Sequence, residues 1–529
     1  MSDGLSIKVL DCTLRDGGHV VNGVFGENVI KHVIKKLVEA NVDIIEVGFL
    51  WKEYCGKDSA RFLTIADVKR ILPDNLGNSK ISLMADSVNL DNLEDYDGTV
   101  EYIRLSFRRN QKQWAWDTYA TLTRKGYKCF INPIYCNVYS DLEYLEMIQK
   151  VNELRPYGFS IVDTFGAMRL SDLSAKYYLV EKNLDKSIAV GVHLHENLGL
   201  SYSLAQHFIN IHSLNRDIII DGSLLGMGRV PGNLCIEQIM DHLNYNYGTD
   251  YNLSAAYDAI DDCIIPIKSK TSWGYTVPYA LSAQAGIHRT YAEYLIQKWR
   301  LKTSDIQNIL DKIVPEEAEL FNLEYVESLY RDYLNVEYDD GEDEALLQKQ
   351  LKNEKIVVIA PGKSLISVEK EILDLQSAGY KVISINFIPD FCSADIVFFT
   401  NIKRIEIDNR FIENRARIIL TSNLFRYNQK YDYAFSFSKL ANHNDNYSED
   451  STLMMIHLLS LLGHNEISIA GFDGFTQSQK NYYSGVYERV EMGEEKNREV
   501  TKILKECYRN LKLRFITKSV YENIWEGEG

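Results

Sequence analysis

The chain has no CxxC pair, although eight cysteines are scattered along its 529 residues. That spacing argues against a disulfide framework or a structural zinc site and makes a reducing, cytoplasmic setting the expectation. No uninterrupted apolar run reaches the ~20 residues that a membrane span needs. The opening residues MSDGLSIKVLDCT lack the basic and apolar regions of a secretory signal. Positive charge is in deficit: 58 Lys and Arg stand against 74 Asp and Glu, a formal net charge of −16. Such a balance disfavours nucleic-acid phosphates and anionic membrane surfaces, so neither partner is expected. A GxGxxG dinucleotide fingerprint and low-complexity tracts are also missing. What remains, 45% hydrophobic and 25% charged residues, describes a globular protein too long for one core.

What the sequence has is a repeated strand–helix alternation. Short β-rich runs occur at Ile7–Thr13, Asp43–Gly48, Ile81–Asp86, Tyr102–Phe107, Lys128–Ile134, Phe159–Phe165, Ile188–His195 and Asp217–Ser223. Between the first two, Asn28–Ala40 carries Val29, Ile30, Val33, Ile34 and Leu37 at helical spacing. Eight such units in about 250 residues fit a closed (β/α)8 TIM barrel, here expected over residues 1–252. Residues 253–335 read as a helical extension, with helices over Ala255–Ile264, Pro278–Leu301, Ser304–Ile313 and Pro315–Leu334. The acidic stretch Glu337–Glu344 makes residues 336–353 an expected linker. A second α/β pattern over 354–529 has too few strands for another barrel and fits an open, Rossmann-like sheet.

The most informative stretch is Val190-Gly-Val-His-Leu-His-Glu-Asn-Leu-Gly199. It reads as a strand, where side chains at i and i+2 share a face, so His193 and His195 project together. Two converging imidazoles suit a divalent transition metal, but they need a third ligand. Asp11-Cys-Thr-Leu-Arg-Asp-Gly-Gly-His19 lies just past the first strand and can supply it. In a closed ring only the eighth strand separates the first from the seventh, and barrel sites form at the C-terminal strand ends.

These two motifs, with Gly226-Met-Gly-Arg-Val-Pro-Gly-Asn233, resemble the metal-dependent aldolase/lyase barrel superfamily over about residues 5–300. That group includes 4-hydroxy-2-oxovalerate aldolase, 3-hydroxy-3-methylglutaryl-CoA lyase and isopropylmalate synthase. Supporting matches are Val42–Gly48, Val162–Gly166 and Ala285–His288. The resemblance implies that Asp16, His193 and His195 ligate a divalent metal, with Asn233 a further ligand, direct or through water. Mn²⁺ or Mg²⁺ is expected from the oxygen donors, and Zn²⁺ is the alternative that two histidines allow. Arg15 matches the arginine that faces the substrate oxygens. His19 matches the general base of the pyruvate aldolases, where acyl-CoA lyases and synthases carry Gln, and an imidazole titrating near neutrality suits that task. Glu46 and Asp163 sit at strand ends and match family acids, either substrate-binding or buried supports of the metal ligands, and His288 stands where the aldolases carry a tyrosine lining the aldehyde pocket.

The implied activity is reversible aldol cleavage of a 4-hydroxy-2-oxo acid to pyruvate, or a similar 2-oxo acid, plus an aldehyde, by a homo-oligomer. A Claisen-type acyl-CoA lyase or synthase is the alternative within the superfamily, and an inactive barrel scaffold the alternative outside enzymes. In the second domain, Ala360-Pro-Gly-Lys-Ser364 follows a strand and precedes a helix, without P-loop spacing. With Ile467–Phe475 it resembles sialyltransferase-like and motility-accessory-factor domains. That implies a nucleotide or nucleotide sugar held at Gly362, Lys363 and Ser364, and a surface-glycan or sugar-acid context.

Overall fold

The computed structural model describes residues 7–90, 93–213, 215–407, 416–444, 446–476, 481–483 and 493–524. They form two units, residues 1–294 with 313–321, and residues 295–312 with 322–529.

In the first unit eight parallel strands close on themselves. They are β1 (Ile7–Asp11), β2 (Ile44–Leu50), β3 (Lys80–Asp86), β4 (Tyr102–Phe107), β5 (Lys128–Pro133), β6 (Gly158–Asp163), β7 (Ala189–Leu194) and β8 (Ile218–Gly222). Each pairs with its successor, and β1 pairs with both β2 and β8, completing the TIM barrel. A two-residue strand, Arg61–Phe62, adds beside β2. The helix Glu27–Glu39 covers the outside through Ile30, Val33, Ile34 and Leu37, all fully buried. Burying each of these side chains contributes about 1.5–3 kcal/mol.

Strand periodicity builds the interior in layers. Leu10, Ile44, Tyr102, Phe130, Ala189 and Ile219 form one apolar cluster. Two residues further along the same strands stand Glu46, Arg104, Asn132 and Asp221, with His193 four past Ala189, all buried. The period of two therefore stacks a polar layer on an apolar one, facing the C-terminal mouth.

Two sequence expectations for residues 253–353 change. The single helix expected over Pro278–Leu301 is two, Val277–Gln284 and Thr290–Gln297. Gly286 has φ +66° and closes the first helix, with Gly286 N–H donating to Ala283 and Ile287 N–H to Ser282. The turn that follows carries His288 and Arg289. Residues 336–353, expected as a linker, instead contain the helix Gly341–Leu351, whose Leu347 and Leu351 are buried. Its acidic start is used structurally: Asp343 accepts from the Ala434 N–H, and Asp340 and Glu344 pair with Lys439.

The second unit is an open, seven-stranded, all-parallel sheet. Its strands are β9 (Ile356–Ile359), β10 (Lys381–Ile385), β11 (Ile396–Phe399), β12 (Arg417–Thr421), β13 (Tyr433–Phe435), β14 (Glu466–Ala470) and β15 (Lys512–Phe515), in the spatial order β13-β12-β11-β10-β9-β14-β15. β15 was not expected: it is an edge strand whose exposed Lys512 and Arg514 remove the apolar run that marks the others. No helix among the described residues is long and apolar enough to cross a membrane.

His443, buried in this unit, lies 2.6 Å from the Tyr508 hydroxyl, with the His457 ring 5.0 Å away. Burial, reinforced by His457, lowers its pKa to about 4, whereas an unfolded chain protonates near 6.5. The unfolded state therefore takes up the proton first as pH falls. Stability is unaffected above about pH 6.5 and declines as pH drops toward 4. Thermal unfolding should show a loss of about 2 kcal/mol in this unit between pH 7.5 and 5. His443→Gln should shrink that loss, and an unchanged loss in the variant would assign it to other groups.

Candidate active site

The turn after β1 is anchored before it delivers any chemistry. Asp11 accepts from the Thr13 N–H and hydroxyl at 3.0 and 2.7 Å, and burial pushes its carboxyl up to about 7. The Thr13 oxygen accepts the Leu224 N–H at 2.8 Å, tying this turn to the loop after β8. Arg15 and Asp16 then sit almost fully buried at the barrel mouth. Opposite them, Asn233 bridges to the backbone of His195 and donates to Asp16 Oδ2 at 2.6 Å. A Cβ at Gly228 would lie 2.4 Å from Asn233 Nδ2 and 3.0 Å from Asp16 Oδ2, so the loop needs glycine to come this close.

Ligand-competent atoms of Asp16, His193 and His195 all lie within 4.8 Å of one another. Both histidines are fixed in one tautomer. His193 Nδ1 is 3.1 Å from Asp221 Oδ2, and His195 Nδ1 is 2.8 Å from the Asp163 carbonyl oxygen. A carboxylate and a carbonyl only accept, so each Nδ1 carries the proton and each Nε2 keeps its lone pair. Burial lowers the His193 pKa against the pull of Asp221, which favours the neutral ring. Burial also opposes ionisation of Asp16, but the Arg15 guanidinium beside it holds its carboxyl well below the usual range. Asn233 Oδ1 is buried with no hydrogen-bond partner, an oxygen donor left over beside Asp16.

Beneath the cluster runs a line of buried charges. Arg15 Nε donates to Glu46 Oε2 at 2.7 Å and Nη1 to Asp16 at 2.9 Å. Arg104 bridges Glu46, at 3.3 Å, and Asp221. With its amide oxygen turned toward Arg104, Asn132 accepts from Nη2 and Nε at 2.8 and 3.2 Å. Isolated buried charges cost several kcal/mol each, so alternating them along one line is what makes the layer tolerable.

A cavity of about 440 Å³ opens above, lined by Arg15, Asp16, His19, His193, His195 and His288 among others. His19 Nε2 is 3.9 Å from Asp16 Oδ1, and its ring packs edge-on to Phe49. The ring is about a third exposed, yet desolvation by the cleft walls, helped by Arg229, Arg15 and Arg289 and opposed by Asp16, lowers its pKa to about 4 rather than leaving it near neutrality.

Glu46 and Asp163, expected near the substrate, do not line the cavity. Glu46 lies under Arg15. Asp163 caps the turn after β6, accepting the Ala167 and Met168 N–H groups at 3.0 and 3.1 Å, with burial raising its pKa to about 6. Both positions therefore orient other groups. Gly362, Lys363 and Ser364 belong to the second unit. Their N–H groups donate to Gly471 O, Asn481 O and Asp473 Oδ2, respectively, so the backbone phosphate cradle expected there is already filled from within. Gly362 borders a separate cavity of about 140 Å³ at the C-terminal ends of β9, β10 and β14.

Sequence reasoning missed Arg104, Asn132, Asp221, Arg108, Arg229 and Arg289. Two of them carried a signal: Arg104 and Asp221 are charged residues inside buried strands rich in apolar residues.

A family profile described as HMGL-like matches residues 106–262. The chain is similar to a 4-hydroxy-2-oxovalerate aldolase of Geobacillus genomosp. 3, 22% identical over 273 residues that make up 50% of this chain and 78% of that relative. A 4-hydroxy-2-oxovalerate aldolase of Moorella thermoacetica (strain ATCC 39073 / JCM 9320) is 22% identical over 309 residues, 56% of this chain and 86% of the relative. Among solved structures, the N-terminal domain of a candidate aldolase from Bacteroides vulgatus aligns with a TM-score of 0.48 and 25% identity, covering 55% of this chain and 96% of that one.

Proposed function

We propose that the barrel, which an HMGL-like family profile matches over residues 106–262, cleaves a 4-hydroxy-2-oxo acid, reversibly, into an aldehyde and pyruvate or a close 2-oxo acid. A divalent metal held by Asp16, His193 and His195 would assist. The observation that carries this reading is the convergence of one carboxylate with two imidazoles whose tautomers leave both Nε2 atoms free. The unpartnered Asn233 Oδ1 fits a fourth, oxygen ligand. This mixed nitrogen and oxygen set suits Mn²⁺ or Mg²⁺, with Zn²⁺ the alternative.

When bound, the ion supplies a Lewis acid for the 2-oxo group. Arg15, fixed by Glu46 and Asp16, places a permanent positive charge at the same cavity wall, where it offsets negative charge developing on the substrate oxygens. His19, neutral at pH 7, takes the proton of the C4 hydroxyl as the C3–C4 bond breaks. The bond pair moves toward the C2 oxygen as an enolate, and a proton returned to C3 completes pyruvate.

Chelation is expected to stop pyruvate release from 4-hydroxy-2-oxovalerate, and Mn²⁺ or Mg²⁺ to restore it. Full turnover in chelator, or a Schiff base trapped by borohydride, would refute the metal mechanism. Asp221→Ala removes the acceptor that orients His193 and should weaken metal binding ~10–100-fold. Calorimetric titration with Mn²⁺ checks this; wild-type affinity in the variant would mean that His193 needs no such support.

A further inference from the structure

Five arginines line the barrel cavity, Arg15, Arg61, Arg108, Arg229 and Arg289, against only two carboxylates, Asp16 and Asp86. Arg15 is committed to Glu46 and Asp16. Arg61 lies 4.6 Å over the Trp51 ring and donates to Asn22. The other three come from separate segments: Arg108 just past β4, Arg229 in the loop after β8, and Arg289 in the turn that Gly286 opens. Arg289 pairs with Glu293 and donates to the Val230 carbonyl at 2.8 Å. Arg108 Nε is buried with no hydrogen-bond partner. No carboxylate among the described residues pairs with Arg229, which is exposed at the cavity wall.

The three charges act on one another and on what lies between them. Burial, then Arg229, Arg289 and Arg108, drives the His288 pKa down to about 4, and burial and Arg229 lower that of Arg289 itself. Three like charges gathered at one wall, with Glu293 the one carboxylate among the described residues that pairs with any of them, favour an anion that is not part of the chain. There is room for it: 440 Å³ is roughly fifteen times the liquid volume of a water molecule, about 30 Å³. A three-carbon oxo acid with a two-carbon aldehyde leaves much of that space unfilled.

We propose that the aldehyde handled by this site is itself an anion, whose carboxylate or phosphate is held by Arg108, Arg229 and Arg289 at the exposed wall of the cavity. This rests on the aldol reading and narrows it. In the condensation direction, C3 of pyruvate loses one proton and bonds to the aldehyde carbon, and the aldehyde oxygen gains one proton. The charged tail takes no part in bond making and serves only to position the electrophile.

The test compares kcat/KM, with pyruvate as donor and metal present, for two charged aldehydes and their neutral counterparts. Succinic semialdehyde is set against butanal, and glyceraldehyde 3-phosphate against glyceraldehyde, so that the two arms separate carboxylate from phosphate. At least one charged member should be preferred by about tenfold or more. Arg229→Gln and Arg289→Gln should each cut that preference about tenfold, mainly through KM, and Arg229→Lys should keep part of it. Equal use of charged and neutral aldehydes, or an equal loss for both in the glutamine variants, overturns the inference. Deuterium exchange at pyruvate C3 without aldehyde runs in parallel. Exchange without charge preference removes this inference alone; no exchange removes the aldol reading with it.

Discussion

Asp16→Ala and His193→Ala should each lose divalent-metal binding and aldol turnover together. The three ligand atoms meet from two distant segments, the turn after β1 and the end of β7, and no other group of three His, Cys, Asp or Glu side chains among the described residues meets the same geometric test. Removing one leaves only two of these three ligands beside the Asn233 oxygen. Loss of a residue behind a ligand already costs 10–100-fold in affinity, so loss of a ligand itself should exceed about 100-fold. The two variants differ in collateral effect. Asp16→Ala frees one side of Arg15, which keeps Glu46 as partner, whereas His193→Ala takes from Asp221 one of two partners and leaves Arg104. Both should stay folded, which thermal unfolding checks, while elemental analysis counts bound metal. A variant that loses turnover yet binds metal normally removes that residue from the ligand set.

His19→Ala should lose turnover by roughly 10²–10⁴-fold while keeping its metal. The ring stands 3.9 Å from Asp16 at the cavity wall and outside the three-atom cluster, so its removal should leave the ligands in place. Its depressed pKa gives the pH profile a definite sign. The imidazole must be neutral to accept a proton, so kcat/KM should hold from neutrality downward and fall as pH drops through about 4. In the alanine variant that acid limb should be missing. Metal lost along with activity would instead make His19 part of the metal site.

The barrel was legible because its strands announce themselves: all eight expected runs become strands, differing only at their ends. That His193 and His195 share a face was legible in the strand period, and their ring centroids lie 4.9 Å apart; that they form a metal site needed the Asp11–His19 motif beside them. The interior charges were harder. Nothing local says that Glu46, Arg104 and Asp221 meet, since they lie on β2, β4 and β8 and are joined only by barrel closure. The cationic wall was hidden for a related reason: Arg108, Arg229 and Arg289 are far apart in the chain, and a helix expected across residues 278–301 concealed the Gly286 turn that presents Arg289. The acidic run at 337–344 misled because its charge suggested solvent, whereas Asp340, Asp343 and Glu344 find a lysine and a backbone N–H. At Gly362–Ser364 local sequence offered free backbone donors, and tertiary partners from the β14 side had already taken them.

In the proposed reaction a metal held by Asp16, His193 and His195 makes pyruvate acidic at C3. The direct measurement is proton–deuterium exchange at pyruvate C3 in D₂O, followed by NMR, with metal-stripped protein, with Mn²⁺ or Mg²⁺ added back, and with His193→Ala. Exchange should be absent without metal, appear on add-back to the wild type, and fail to appear in the variant. Exchange that proceeds in metal-stripped protein, or persists undiminished in His193→Ala, would rule out metal-assisted enolisation at this site.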